Sequence, residues 1–267
     1  MSYIEIFGTL FDASFNGTNL STKNFFCYDI KKPLMPRQSL SKIDIPKKSG
    51  SIVSSKKFID DSLTLYGYMD CTSYDDLTTK LENLSAFLYA DNDVPLITTK
   101  QSDRYWNVQY LNYDIIEQKS DYAMVDLEFT CNDPFAYDNT PTTSTTAITA
   151  LNTTFIQANA GSYYALPVIT ITFAQAQSHI YIENNNISDN RFDISKTFGA
   201  GDVLEVDCKN GTIKLNGSTS MSGFGDGGEG LAEWILLAKG NNEIMCGSDD
   251  ATINISVLIS FNKTYLY

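Results

Sequence analysis

Short runs that alternate apolar and polar side chains, separated by Asn- and Gly-rich turns, dominate this chain and commit most of it to β-structure. The clearest run is 122–131, where Ala123, Val125, Leu127 and Phe129 alternate with Met124, Asp126, Glu128 and Thr130, giving one apolar and one wet face. Residues 62–68 repeat the pattern with Leu63 and Leu65 and a bend expected at Gly67; 94–99 and 104–115 are further strand candidates. In the second half, 166–173, 179–183, 203–207, 212–216 and 252–261 read the same way. Asn210-Gly211 between two of these is the strongest hairpin signal, because both turn residues must accept positive φ; Asn216-Gly217 is another turn signal. No repeat of 20–50 residues recurs, which excludes a solenoid or propeller.

One window has a helical period. Leu77, Leu81, Leu84 and Leu88 fall on one helical face, with Lys80 and Glu82 on the outer side. Ser73 is placed to cap this helix, and Asp75 and Asp76 sit in its first turn, where carboxylates favour the positive end of the dipole. Pro95 disfavours helical geometry before it, so the helix should stop near residues 91–93. Residues 138–154 carry eight threonines in seventeen positions with Pro141, and read as a linker or an extended edge crossing between units. The expected organisation is an N-terminal domain over 1–137, a Thr-rich linker over 138–154 and a C-terminal domain over 155–267. The expected fold class is mainly β: an α+β first domain with a β-sandwich and one helix, then an antiparallel β-sandwich.

Charge and cysteine usage narrow the partners. Nineteen basic residues against 32 acidic ones leave a net charge of −13, which disfavours tight binding of DNA or RNA. No run approaches the roughly 20 apolar residues that cross a bilayer, and residues 1–10 have neither the basic flank nor the apolar stretch of a signal peptide, so no membrane partner is expected. The five cysteines (27, 71, 131, 208, 246) form no CxxC pair, a pattern of reduced, buried thiols made in a cytoplasm.

Chemistry is sparse. His179 opens a strand with no serine or cysteine motif beside it, and GxSxG is absent, so a structural histidine is expected and nucleophilic hydrolysis has no anchor. One histidine and scattered cysteines do not supply a zinc site. The pairs Asp60-Asp61, Asp75-Asp76 and Asp249-Asp250 lack EF-hand spacing and read as solvated turns or helix starts. Residues 223–228 match GxGxxG formally, but Asp226 and Glu229 would repel a phosphate, which leaves a Gly-rich loop. A glycosidase needs two carboxylates, and nothing marks one acidic pair out. No catalytic, metal-binding or cofactor-binding residue is assigned.

One local asymmetry stands out. Residues 31–57 contain Lys31, Lys32, Arg37, Lys42, Lys47, Lys48, Lys56 and Lys57 against Asp44 alone, with Pro33, Pro36, Pro46 and Gly50. This reads as a strand pair with a long tip. Its lysines serve either as gatekeepers against edge pairing or as contacts to an acidic neighbour, including another copy of this chain. Lys47, Lys48, Lys56 and Lys57 are the candidate subunit or partner contacts.

The order of segments then resembles a known family. FDASFNGTNLST (11–22), KKPLMPRQSLSKIDIPKKSGSI (31–52), LTLYGYM (63–69) and FTCNDPFAY (129–137) follow one another as in the N-terminal domain of the distal tail (Dit) proteins of tailed bacteriophages. Asp133, Pro134, Phe135 and Tyr137 fit the family's domain-closing motif, while the arm departs from it, with Lys47 where glycine is usual and Ser49 where an acid is common. Asn159-Ala160-Gly161, Leu166-Pro167-Val168-Ile169, the segment 236–242 and the last strand resemble the family's galectin-like C-terminal sandwich. The resemblance implies a tail-tube-like first domain and a non-enzymatic virion protein. Such proteins form a homo-hexameric ring at the tail tip, stacked under the tail tube protein, docking the tail-associated hub or fibre protein below and projecting their C-terminal domains outward. Receptor-binding proteins or host glycans are further candidate partners of the C-terminal domain. The alternative is a carbohydrate-binding adhesin acting through the C-terminal sandwich, with Tyr163, Tyr164, Phe224 and Trp234 available as an aromatic platform.

Overall fold

A computed structural model describes residues 9–47, 49–119, 121–220, 224 and 233–266. The chain divides after Asn139 into two compact units. In chain order the first contains β1 (Ala13–Phe15), β2 (Thr18–Asn19), β3 (Phe26–Lys31), β4 (Gln38–Asp44), β5 (Ser51–Phe58), β6 (Asp61–Asp70), α1 (Tyr74–Leu88), β7 (Val94–Thr98), β8 (Gln101–Gln118), β9 (Tyr122–Cys131) and β10 (Ala136–Asp138). The path of hydrogen-bonded neighbours is β2-β1-β7-β8-β9-β6-β3. Strand β8 serves two sheets: residues up to Val108 pair with β7, and Gln109–Gln118 pair with β9. Between them lies Phe15, its ring 5.7 Å from Phe87 of α1 and 5.8 Å from Phe129 of β9.

The helix begins as its sequence dictates. The Ser73 hydroxyl accepts the Asp76 N–H at 3.1 Å while the Asp76 carboxylate accepts the Thr72 N–H at 2.9 Å. That bond, with the Lys80 ammonium at 3.0 Å, holds the Asp76 carboxyl below its usual range. Leu77, Leu84 and Leu88 are buried, and the chain leaves the helix at Tyr89, a little before the expected stop. Gly67 is not a bend: it lies inside β6, opposite Cys27 and Val125. A Cβ there would overlap the Phe25 ring, so glycine provides the room for that close approach.

The segment Asp133–Tyr137 closes this unit. The Tyr137 hydroxyl donates to Asp133 Oδ2 at 2.6 Å, and its ring stacks on Tyr105 at 5.6 Å. Burial, then the Asp133 carboxylate, pushes the Tyr137 phenol above its ordinary range. β10 pairs with the start of β8, Ala136 opposite Trp106.

The second unit is an antiparallel sandwich of β11 (Thr142–Ile148), β12 (Thr153–Asn159), β13 (Val168–Phe173), β14 (Gln177–Asn184), β15 (Arg191–Phe198), β16 (Val203–Asp207), β17 (Thr212–Leu215), β18 (Ser218–Thr219), β19 (Gly240–Gly247) and β20 (Ile255–Phe261). One sheet runs β11-β20-β13-β16-β17-β18 and the other β12-β19-β14-β15. Between them pack Ile169, Ile171, Ile180, Ile182, Phe192 and Ile244, with Phe173 and Phe198 stacked at 4.3 Å.

Two expectations are corrected here. Of the two readings of the Thr-rich stretch 138–154, the linker is replaced by the extended edge: β11 lies within it and pairs along its full length with β20, as the edge of the larger sheet. Threonine is β-branched and fits an edge strand with one face in water, the burial alternating accordingly. The Asn210-Gly211 turn also differs. Of that pair only Gly211 has positive φ, and the Asp207 carboxylate caps a longer loop by accepting the Lys209 and Asn210 N–H groups. The two-residue turn with positive φ at both positions occurs at Asn216-Gly217, and again at Asn16-Gly17.

Three measurements probe this packing. All five cysteines are free and buried, and burial pushes Cys131, Cys208 and Cys246 up to about 12. Their thiolate fraction at pH 8 is then on the order of 10⁻⁴, so alkylation at pH 8 should reach these three thiols only after unfolding. Because the folded values are raised, the stabilisation is present below the unfolded thiol value near ~8.5 and is lost as pH rises above it, so the urea midpoint should fall at alkaline pH. Gly67→Ala should cost about 1–3 kcal/mol by overpacking Phe25, read from the same midpoint. Tyr137→Phe should cost about 1–2 kcal/mol by stripping the hydroxyl from Asp133, with the secondary structure content unchanged by circular dichroism.

Candidate assembly interface

The basic segment forms a two-stranded arm. β4 and β5 pair from Gln38↔Phe58 to Asp44↔Ser51, and neither pairs with any other strand among the described residues. Leu40, Ile43, Ile52 and Val53 stand about half exposed on it. The root is held more firmly than the rest. The Arg37 N–H donates to Asp61 Oδ2 at 3.1 Å, its guanidinium reaches Asp61 Oδ1 at 3.4 Å, and the Ile59 N–H donates to the Arg37 carbonyl at 3.0 Å. Asp61 is only 8% exposed, so it is an anchoring carboxylate rather than part of a solvated turn. Phe58 meets Phe135 edge-on at 5.4 Å, which ties the closing segment to the arm.

The eight basic residues divide among body, root and arm, and Lys31 ends β3 in the body. Lys32 belongs to the body: its ammonium lies 5.1 Å from the Trp106 ring centre and donates to Gln101, and burial lowers its pKa. Arg37 belongs to the root. Lys42, Lys47, Lys56 and Lys57 are on the arm itself, while Lys48 lies outside the described residues. Lys56 faces Leu40 across the strands and Lys57 faces Ser39, so these neighbours point to opposite sides. Lys47 is at the tip with φ +65°, the left-handed conformation that favours the glycine usual at this position. The candidate lysines therefore charge both faces and the tip rather than gathering into one patch.

The second feature carried no sequence signal of its own. Beyond Val108, β8 has β9 on one side and no strand on the other among the described residues. Leu111, Ile115 and Ile116 are exposed along this half. Bulges at Leu111 and Ile116 break the strict alternation that would have marked it. A groove of about 480 Å³ runs beside it, lined from α1 by Leu77, Leu81 and Ser85 and from β8 by Tyr113 and Ile115. The wet face of the same sheet is acidic. Asp114 stands directly opposite Asp126, whose carboxyl is raised by burial and then by Asp114. Glu128 lines the same shallow cleft.

The polar chemistry of the second unit is turned inward. His179 Nε2 lies 2.6 Å from Asp193 Oδ1, while its Nδ1 accepts the Asp249 N–H at 3.2 Å. Arg191 covers the other Asp193 oxygen at 2.9 Å and stacks over Tyr181 at 3.9 Å. His179 and Asp193 are buried in the sheet, and Arg191 is partly buried beside them. Phe224 and Trp234 stack at 5.0 Å and pack on the sandwich core. Of the proposed aromatic platform, Tyr164 is the member that stands well exposed. The rest of the Gly-rich loop 223–228 lies outside the described residues. No group of three or more metal-ligating side chains occurs among the described residues.

Comparison with known proteins matches both units. Residues 15–131 match the family described as phage tail protein RIFT-related domain, and residues 160–265 match the siphovirus-type tail component, C-terminal domain. The distal tail protein of Bacillus phage SPP1 is 23% identical over 260 residues, spanning 95% of this chain and 97% of that one. The crystal structure of the SPP1 Dit protein, described as a paradigm of the hub adsorption apparatus in phages infecting Gram-positive bacteria, superposes with a TM-score of 0.77. That superposition covers 94% of this chain and 98% of the other at 16% identity. With the two halves matched in order and the likeness running nearly end to end, this chain belongs to the distal tail protein family of tailed bacteriophages.

Proposed function

We propose that this protein acts as a structural, non-enzymatic component of the phage tail tip by closing a homo-hexameric ring through its N-terminal unit. The observation that carries this reading is the pair of unlike ends on one sheet. β3 terminates it on one side and the uncovered half of β8 on the other, among the described residues. Joining one copy's β3 end to the next copy's β8 end is a heterologous contact, the type that generates closed rings. Edge pairing would satisfy main-chain groups that otherwise invite aggregation. The count of six follows the family resemblance. Such a ring joins the tail tube protein above to the hub or fibre protein below; receptor-binding proteins or host glycans are further partners of the sandwich. The protein resides in the virion tail after synthesis in the host cytoplasm.

Charge supports the same reading. Every copy is acidic overall at −13 yet carries a basic arm, so each copy offers its neighbour an opposite sign. An acidic sheet face directed to the ring's lumen would let a nucleic acid pass without adhering. Reversing Lys47, Lys48, Lys56 and Lys57 to Glu should raise the concentration needed for half-assembly on the order of tenfold, about 1.4 kcal/mol. Mass photometry of the wild-type and reversed chains measures this directly. Unchanged assembly of the reversed chain would remove the arm from the contact.

A further inference from the structure

We propose that the groove between α1 and the uncovered half of β8 is the receptor for the β4–β5 arm of a second copy. This inference rests on the ring reading, in which the main-chain edge of β8 meets the neighbour's β3, and assigns the side-chain groove between that strand and α1 to the neighbour's arm. Two apolar surfaces of the same unit are exposed at once. On the arm they are Leu40, Ile43, Ile52 and Val53; at the groove they are Leu81, Tyr113 and Ile115, with Leu111 and Ile116 further along β8. Exposed patches of this kind mark interaction sites. A head-to-tail contact covers both at every repeat.

Dimensions and charge favour the arm as the occupant. At about 3.3 Å per residue, the seven-residue β4 is ~23 Å long and the ten-residue uncovered stretch of β8 is ~33 Å, so the arm fits along it. The groove carries the carboxylate of Glu82 on α1, whereas the arm carries Lys42, Lys56 and Lys57. The arm's two faces each pair apolar with basic residues: Leu40, Val53, Lys42 and Lys56 on one, Ile43, Ile52 and Lys57 on the other. Either face can therefore bury aliphatic side chains against Leu81 and Ile115 while an ammonium group meets Glu82. The root fixed by Arg37–Asp61 and Phe58–Phe135 holds the arm out from its own body, which directs it to another copy.

Cross-linking in the full chain tests this, because the five native cysteines are buried. Ile52→Cys and Ser85→Cys place single thiols on the exposed arm and at the groove. Mixing the two variants under a mild oxidant should yield a disulfide-linked heterodimer, and the double variant should yield a ladder that ends at the ring. Leu40→Cys with Thr78→Cys repeats the experiment at a second pair. Ring-sized particles by mass photometry with no cross-link from either pair would overturn the groove assignment and leave the ring standing. A chain that stays monomeric at every concentration would overturn both.

Discussion

A strand of eighteen residues cannot be covered along both sides by neighbours of five and ten residues. β8 meets β7 on one side only as far as Val108, and β9 on the other from Gln109 to Gln118. The rest of the N-terminal unit follows from this offset. The first half of β8 belongs to the sheet that carries β1, Phe15 and the closing strand β10; the second belongs to the sheet that carries β9, β6 and β3. α1 packs its leucine face beside the second half and so turns an uncovered strand into a walled groove. The same offset that lets two sheets share one core leaves a main-chain edge to be satisfied by something outside the unit.

Where a side chain has strong chemistry, it is spent within the fold. Asp61 anchors the arm, Asp133 takes the Tyr137 proton donor, and Asp193 is shared between His179 and Arg191. Buried carboxylates need such partners, because an uncompensated charge away from water is costly. The thiols are buried and held protonated. What remains on the surface is charge of two signs, separated by region: lysines along the arm, and carboxylates on the open face of the β9 sheet. This arrangement suits a structural component of a phage tail.

Legibility of the elements tracked how cleanly each strand faces two environments. β9 was readable from alternation alone, and α1 from its leucine spacing and Ser73 cap. β15 was not, because Asp193 is buried through its bonds to His179 and Arg191, so a polar residue sits where solvent exposure would be read. β19 escaped for a similar reason: Asn242 is buried and bonded to Ala238 on both its amide oxygen and nitrogen. Threonine-rich sequence read as a linker where its backbone instead completes a sheet edge. The arm was visible as a charge asymmetry, but the division of its lysines between root, faces and tip was not.

By itself the amino-acid sequence determined the β-rich class, the helix and its cap, the turns at Asn16-Gly17 and Asn216-Gly217, and the basic arm set in an acidic chain. Each depends on residues a few positions apart, whose propensities and periodicities act locally. Only the tertiary structure decided that Gly67 makes room for Phe25, that the Thr-rich stretch is an edge strand, and that half of β8 stands uncovered beside α1. Those features depend on which distant segments lie side by side, and a strand's own residues do not say where its neighbours end.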